Sequence, residues 1–225
     1  MKKIKVTLLL LATMILSQGI MAQVLSENTK RKFTVGVNLY TTWWQTEFLN
    51  PDVKTRTINQ GVDVFFMYNI ALKENSLNSF SVGLEIRNEN MYTNATINDI
   101  KADTIVFTPI EENYKRSKIN MTYIGLPLEL KFRAKNGFKA NIGFKVGYRI
   151  DSKQLYVGDR PDDQKRVKVK TKKINKMEDF SYGPFLRIGY KWITAYAYYE
   201  LSKKFKRDLG PKVSAVSLGI SVTPF

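Results

Sequence analysis

The sequence predicts an all-β fold, an eight-stranded antiparallel up-and-down transmembrane β-barrel in the cell outer membrane. Three observations carry this reading. First, eight stretches alternate apolar and polar residues with period two, which puts all apolar side chains of a strand on one face. The clearest is FKANIGFKVGYRI, residues 138–150. It exceeds the about 5–6 residues of an ordinary globular strand and the about 9–11 needed to cross a bilayer on a tilt. Second, the connections alternate long and short, as in outer-membrane barrels, where tight turns are periplasmic and long loops lie outside. Third, nine of the 13 glycines (36, 61, 83, 125, 143, 147, 183, 189 and 219) fall on the polar face. Glycine weakens a strand that faces water, whereas the interior of an eight-stranded barrel is crowded by side chains. The polar face therefore looks inward.

The first 22 residues read as a signal peptide, followed by a barrel domain over 23–225. Lys2, Lys3 and Lys5 precede an apolar run from Val6 to Leu16, and Ala22 is a plausible last residue before cleavage. That run is too short for a transmembrane helix, and no later one approaches the required length of about 20 residues. The first strand is expected over 33–42, with Phe33, Val35, Val37 and Leu39 outward and Trp43 and Trp44 closing it. The second, 59–72, alternates Val62, Val64, Phe66, Tyr68, Ile70 and Leu72 with Gly61, Asp63, Phe65, Met67 and Asn69. A short turn at 73–78 leads to the third, 79–90, where Phe80, Val82, Leu84 and Ile86 oppose Ser81, Gly83, Glu85 and Arg87.

The long connection 91–117 has room for a strand extension near Thr104–Phe107. The fourth strand, 118–133, sets Ile124, Leu126, Leu128, Leu130 and Phe132 against Tyr123, Gly125, Pro127, Glu129, Lys131 and Arg133. Pro127 removes a ladder donor and predicts a local bulge. Lys135-Asn136-Gly137 makes a tight turn, since Asn-Gly suits positive φ. Residues 138–150 follow, then a loop at 151–178 in which alternation in KRVKVKTKKIN suggests a hairpin standing above the membrane. The last three strands are expected at 179–190, 192–201 and 213–225, with a turn near Lys191 and a loop at 202–212. Aromatic girdles mark both headgroup levels. Trp43, Trp44, Tyr148, Tyr182 and Tyr199 form the outer one; Phe33, Phe132, Phe138, Tyr190, Trp192 and Phe225 form the periplasmic one.

Inward parity places Asp63, Glu85, Arg87, Glu129, Lys131, Arg133, Lys145, Arg149, Arg187 and Glu200 in the lumen. Such a mixture can pair into a network that plugs and braces the barrel, since each charge left unpaired there would be costly. Conduction of a small solute is the alternative use. In the loops, Lys165, Arg166, Lys168, Lys170, Lys172, Lys173 and Lys176 form a run without acids, and Lys203, Lys204, Lys206 and Arg207 form another. They are candidates for contact with lipopolysaccharide phosphates, against the alternative of solvated loops without a specific ligand.

Several segments resemble a known family. These are TYIGLPLELKF (122–132), NIGFKVGYR (141–149), GPFLRIGYKW (183–192), AYAYYELSKKF (195–205) and the terminal SLGISVTPF. They are similar to the Bacteroidetes outer-membrane β-barrel proteins of the PorT-like type, along essentially the whole mature chain. The resemblance implies a small barrel of OmpA/OmpX-like architecture, and the family's namesake is associated with type IX protein secretion. It also implies that Phe225 is the terminal signal read by the barrel insertion machinery.

Composition narrows the function classes. The absence of cysteine and histidine removes disulfides, thiolate metal sites, the usual general base and the commonest zinc ligand. No nucleophile motif stands out, so an enzyme and a cofactor are not expected. The net charge is +16, or +13 over residues 23–225 once the three leader lysines are removed. An exported basic chain meets anionic lipid or sugar phosphate rather than nucleic acid. The expected role is therefore a non-enzymatic envelope structural or interaction protein; the family resemblance implies an accessory role in secretion and a secretion or surface protein as partner. The alternatives are a small-solute pore and a soluble lipid-binding barrel with its apolar face inward.

Overall fold

Period-two alternation resolves into 11 strands in a computed structural model, which describes residues 31–74, 76–97 and 99–224. They are β1 (Phe33–Glu47), β2 (Gln60–Ala71), β3 (Ser79–Tyr92), β4 (Ala95–Ile97), β5 (Phe107–Pro109), β6 (Tyr114–Arg133), β7 (Phe138–Asp159), β8 (Arg166–Lys172), β9 (Phe180–Tyr190), β10 (Ile193–Tyr199) and β11 (Lys212–Val222). Eight of them close a ring in the order β1-β2-β3-β6-β7-β9-β10-β11, with β11 returning to β1 and every pairing antiparallel. Closure leaves the membrane-spanning part without an unpaired edge, the condition that hydrocarbon imposes on strands. The proposed leader, residues 1–22, and the terminal Phe225 lie outside the described residues.

The wall faces hydrocarbon with its apolar parity. Phe144 and Leu128 are 40% and 37% exposed, whereas their neighbours Lys145 and Glu129 are 2% and 1% exposed. A lipid-binding barrel with an apolar interior would show the reverse. Tight turns gather at the end of the barrel holding Phe33, Phe132 and Tyr190, which the barrel rule makes periplasmic; the long connections gather at the other, outer end. At the turn between β6 and β7, Gly137 takes φ +94°, the left-handed region that glycine enters freely. Gly183 serves a different need: a Cβ there would run into the backbone carbonyl of Tyr199 on the facing strand.

Three expectations are corrected. Trp44 does not belong to the outer girdle. Adjacent strand residues point to opposite faces, so Trp43 is 38% exposed while Trp44 turns inward and is 7% exposed, its Nε1 donating to the Asn90 carbonyl at 3.2 Å. Pro127 makes no bulge. The β3–β6 ladder lapses between Val82↔Leu128 and Glu85↔Gly125 but resumes in the same register, and the irregularities in β6–β7 fall at Thr122/Tyr123 and Tyr114/Arg116. A missing N–H costs the ladder a bond without requiring an extra residue. The extension expected near Thr104–Phe107 starts later: β5 spans Phe107–Pro109 and pairs with β4.

β6 and β7, 20 and 22 residues long, rise beyond the membrane wall. Above Ser152, β7 pairs with β8 to form the expected raised hairpin. Over the outer mouth the connections fold back and build an apolar cap. Trp44, Val53, Met91, Ile97, Ile105, Phe107, Met121, Ile174, Met177 and Phe205 are buried in it. Phe107 lies between Phe48 and Phe205, with centroids at 5.0 and 6.0 Å. Each large apolar side chain fully buried in this way contributes about 1.5–3 kcal/mol. The cap draws Trp44, Met91 and Met121 from the inward faces of β1, β3 and β6, and Val53, Ile97, Ile105, Phe107, Ile174, Met177 and Phe205 from the segments between spanning strands, whose sequence has no sustained period.

Candidate functional site

Below the cap, the lumen is filled with charge. Five acids (Asp63, Glu85, Glu89, Glu129 and Glu200) and five bases (Arg87, Lys131, Lys145, Arg187 and Lys204) are buried. Facing strands bring them together. Lys145 of β7 lies 2.9 Å from Asp63 and 3.2 Å from Glu85. Arg187 of β9 reaches Glu129 of β6 at 2.9 Å, and Lys131 lies 3.7 Å from the same carboxylate. Arg87 lies 3.3 Å from Glu89, as an ion pair without an aligned hydrogen bond.

Neutral partners complete the shells. Asp63 accepts from Tyr40 Oη at 2.7 Å and from Asn38 Nδ2 at 3.1 Å. Lys131 donates to Thr34 and Asn69 at 2.9 and 2.8 Å. Ser181 receives Arg87 Nη2 at 2.6 Å and donates to Glu200 at 2.7 Å. Aromatic faces cover the cations: Lys145 lies 4.5 Å from the Tyr198 ring centroid and Arg187 lies 4.1 Å from that of Phe65. Removing any one member leaves an uncompensated charge out of contact with water. The chemistry available is bracing. Ser181 is committed to two partners, and among the described residues no cluster of three acids is arranged to hold a metal.

Membership differs from the sequence expectation at four positions. Glu89 shares the parity of Glu85 and Arg87, so continuing the alternation two residues would have found it. Lys204 was expected in an exposed basic loop but is 2% exposed, paired with Glu89 at 2.7 Å and Glu200 at 2.8 Å. Burial opposes its charge, but the two carboxylates outweigh it and raise its pKa above the ordinary lysine value. The segment after β10 turns back into the mouth, and no periodic signal announces that. Arg149 lies at the outer rim, on Asp179 at 2.8 Å and the Glu178 carbonyl at 3.0 Å. Arg133 lies at the periplasmic rim, half-buried, with a buried Nε that has no hydrogen-bond partner among the described residues. Arg133 is the last residue of β6 and Arg149 lies midway along β7, where that strand leaves the ring, and both stand apart from the ten fully buried charges.

The remaining basic-loop residues are exposed. Lys165, Arg166, Lys168, Lys170, Lys172 and Lys173 line the raised hairpin, and Lys203, Lys206 and Arg207 the connection before β11. Arg166 pairs with Asp159 at 3.4 Å and Lys165 with Asp163 at 3.6 Å. Lys176 is half-buried, 3.3 Å from Asp103. Outside the membrane wall, Asp151 accepts from Lys153 at 2.9 Å, and that bond holds its carboxyl below the usual aspartate value.

Comparison with known proteins follows this geometry. The model of the outer membrane protein beta-barrel domain family matches residues 21–206. Similar solved structures include Ail, the attachment invasion locus protein of Yersinia pestis, both alone and in complex with the heparin analogue sucrose octasulfate. They are 13% and 11% identical to this chain, respectively. In both, the match covers 85% of this chain and 97% of Ail, with a TM-score of 0.39. No curated protein matches the chain.

Proposed function

We propose, from the premise that this chain belongs to the outer membrane protein β-barrel domain family, that it is a non-enzymatic structural or interaction protein of the envelope. The barrel resides in the outer membrane. One observation carries the reading: the lumen holds ten buried charges matched five to five beneath an apolar cap. Such an interior offers a solute no continuous water path and a substrate no open cleft. Planar-bilayer recording of the purified protein is expected to give no ion conductance; stable unitary currents would establish the pore reading instead.

The interactive surface is then the outer rim. The exposed lysines of β8 and the 200–211 connection are suited to lipopolysaccharide phosphates, because lysine acts as a point-charge partner for phosphate. Its resemblance to PorT-like proteins of Bacteroidetes adds accessory service in secretion to the structural or interaction role, with a secretion or surface protein as partner. Phe225 is the proposed signal to the insertion machinery. Deleting the gene and comparing the secreted proteome with envelope integrity separates these roles. Loss of secreted proteins from intact cells favours secretion, whereas leakage alone favours a structural role.

A further inference from the structure

The periplasmic rim carries cations that the luminal network does not use. A cavity of about 330 Å³ opens there, between the start of β1, the β2–β3 turn and the end of β6. Arg31, Lys32 and Arg133 line it together with Ser76 and Ser79, and no carboxylate is among its lining residues. The nearest luminal acid in the β6 wall, Glu129, is already shared by Arg187 and Lys131. Arg133 stands directly opposite Lys139 in the β6–β7 ladder, a like-charge pair that destabilises a sheet unless an anion intervenes. Among the described residues the buried Arg133 Nε has no hydrogen-bond partner, although a buried donor normally has one. The other wall is apolar: Tyr68, Ile70 and Leu77 are 43%, 48% and 39% exposed, and Tyr68 and Ile70 continue the hydrocarbon-facing parity of β2.

We propose that this cavity binds a phospholipid of the periplasmic leaflet. The phosphate sits among Arg31, Lys32 and Arg133, and an acyl chain lies along Tyr68, Ile70 and Leu77. Arginine forks suit phosphate oxygens. The mixed wall selects the lipid over a free anion, because one side of the cavity opens toward hydrocarbon and the other toward the headgroup level. The site is distinct from the basic outer loops and stands or falls independently of them.

Native mass spectrometry of the full chain, released from vesicles of phosphatidylglycerol and phosphatidylcholine, tests this. The wild-type protein is expected to keep a bound phospholipid. The Arg31→Gln/Arg133→Gln variant is expected to keep about tenfold less, the loss of one to two charge-assisted hydrogen bonds. Arg133→Lys should retain an intermediate amount. Gel mobility before and after heating reports whether each variant is folded, and Arg31→Gln alone, which precedes β1, serves if the double variant does not fold. Three results would overturn the proposal: equal retention by a folded variant, equal retention of a diacylglycerol lacking phosphate, or complete displacement by inorganic phosphate. A loss of the adduct in Lys203→Gln/Lys206→Gln would also overturn it, by placing the lipid at the outer rim.

Discussion

Lys145 shows what a single luminal residue carries. It neutralises Asp63 and Glu85 together and lies against Tyr198. Replacing it by alanine strands two buried carboxylates, so Lys145→Ala is expected to cost about 3–5 kcal/mol of stability. Urea unfolding of the purified protein in micelles, followed by heat-modifiable gel mobility, measures that loss. Lys203 and Lys204 make a sharper pair, since neighbours of the same type meet opposite environments. Lys204→Gln leaves Glu89 and Glu200 without their cation and should destabilise the barrel strongly. Lys203→Gln should stay within about 0.5 kcal/mol of wild type, as surface changes usually do. In the sequence the two lysines are indistinguishable, because they lie past the last alternating residue of β10. Most luminal residues were legible there, since they lie inside periodic strands where parity alone decides which way a side chain points. Trp44 was legible in principle too: parity contradicts the aromatic-girdle placement, and parity wins.

Among the elements, the spanning strands and the cap differ in how their information is written. Alternation over 138–150 fixes β7 because any one-residue slip would put Lys145 in lipid and Phe144 in the lumen. The cap has no such code. Ile105 and Phe107 come from one connection and Phe205 from another, without common periodicity, and only their convergence over the mouth makes them a core. The cap and the luminal network meet at Tyr123 and Trp44, where Lys204 donates to Tyr123 Oη at 3.2 Å and lies 5.3 Å from the Trp44 ring centroid, so perturbations placed away from that seam should be largely independent. Phe107→Ala is expected to remove about 3–5 kcal/mol from the cap. Limited proteolysis should then cut faster between residues 99 and 110, while the barrel keeps its heat-modifiable mobility. The β7–β8 hairpin stands outside the wall altogether. Trypsin added to intact cells is expected to cleave between Lys165 and Lys173 and to leave the spanning strands whole; resistance of that segment in a surface-intact strain would reverse the assigned orientation.

The whole molecule is closed twice, by charge pairs across the lumen and by apolar packing over the outer mouth. The two touch at Tyr123, but the ion pairs below it come from the spanning strands. Shortening the connections that build the cap is therefore expected to leave planar bilayers silent, because the ion pairs from Asp63 to Arg187 still fill the cross-section. A channel appearing after cap removal alone would show that the pairs are not a seal. Eight strands, their order and their outward face were all readable from residue pattern and loop length. The raised β6 and β7 were underestimated, since nothing in their alternation marks where hydrocarbon ends and solvent begins.

The luminal charges cancel five against five, so the surplus of +13 over residues 31–224 resides at the two rims. Lysines crowd the outer one, and Arg31, Lys32, Lys135 and Lys139 ring the other. Shifting the body along the membrane normal in either direction would drag one set of ammonium and guanidinium groups into oil. The protein is thus fastened like a rivet with two heads, and its depth is set by repulsion from hydrocarbon at both ends.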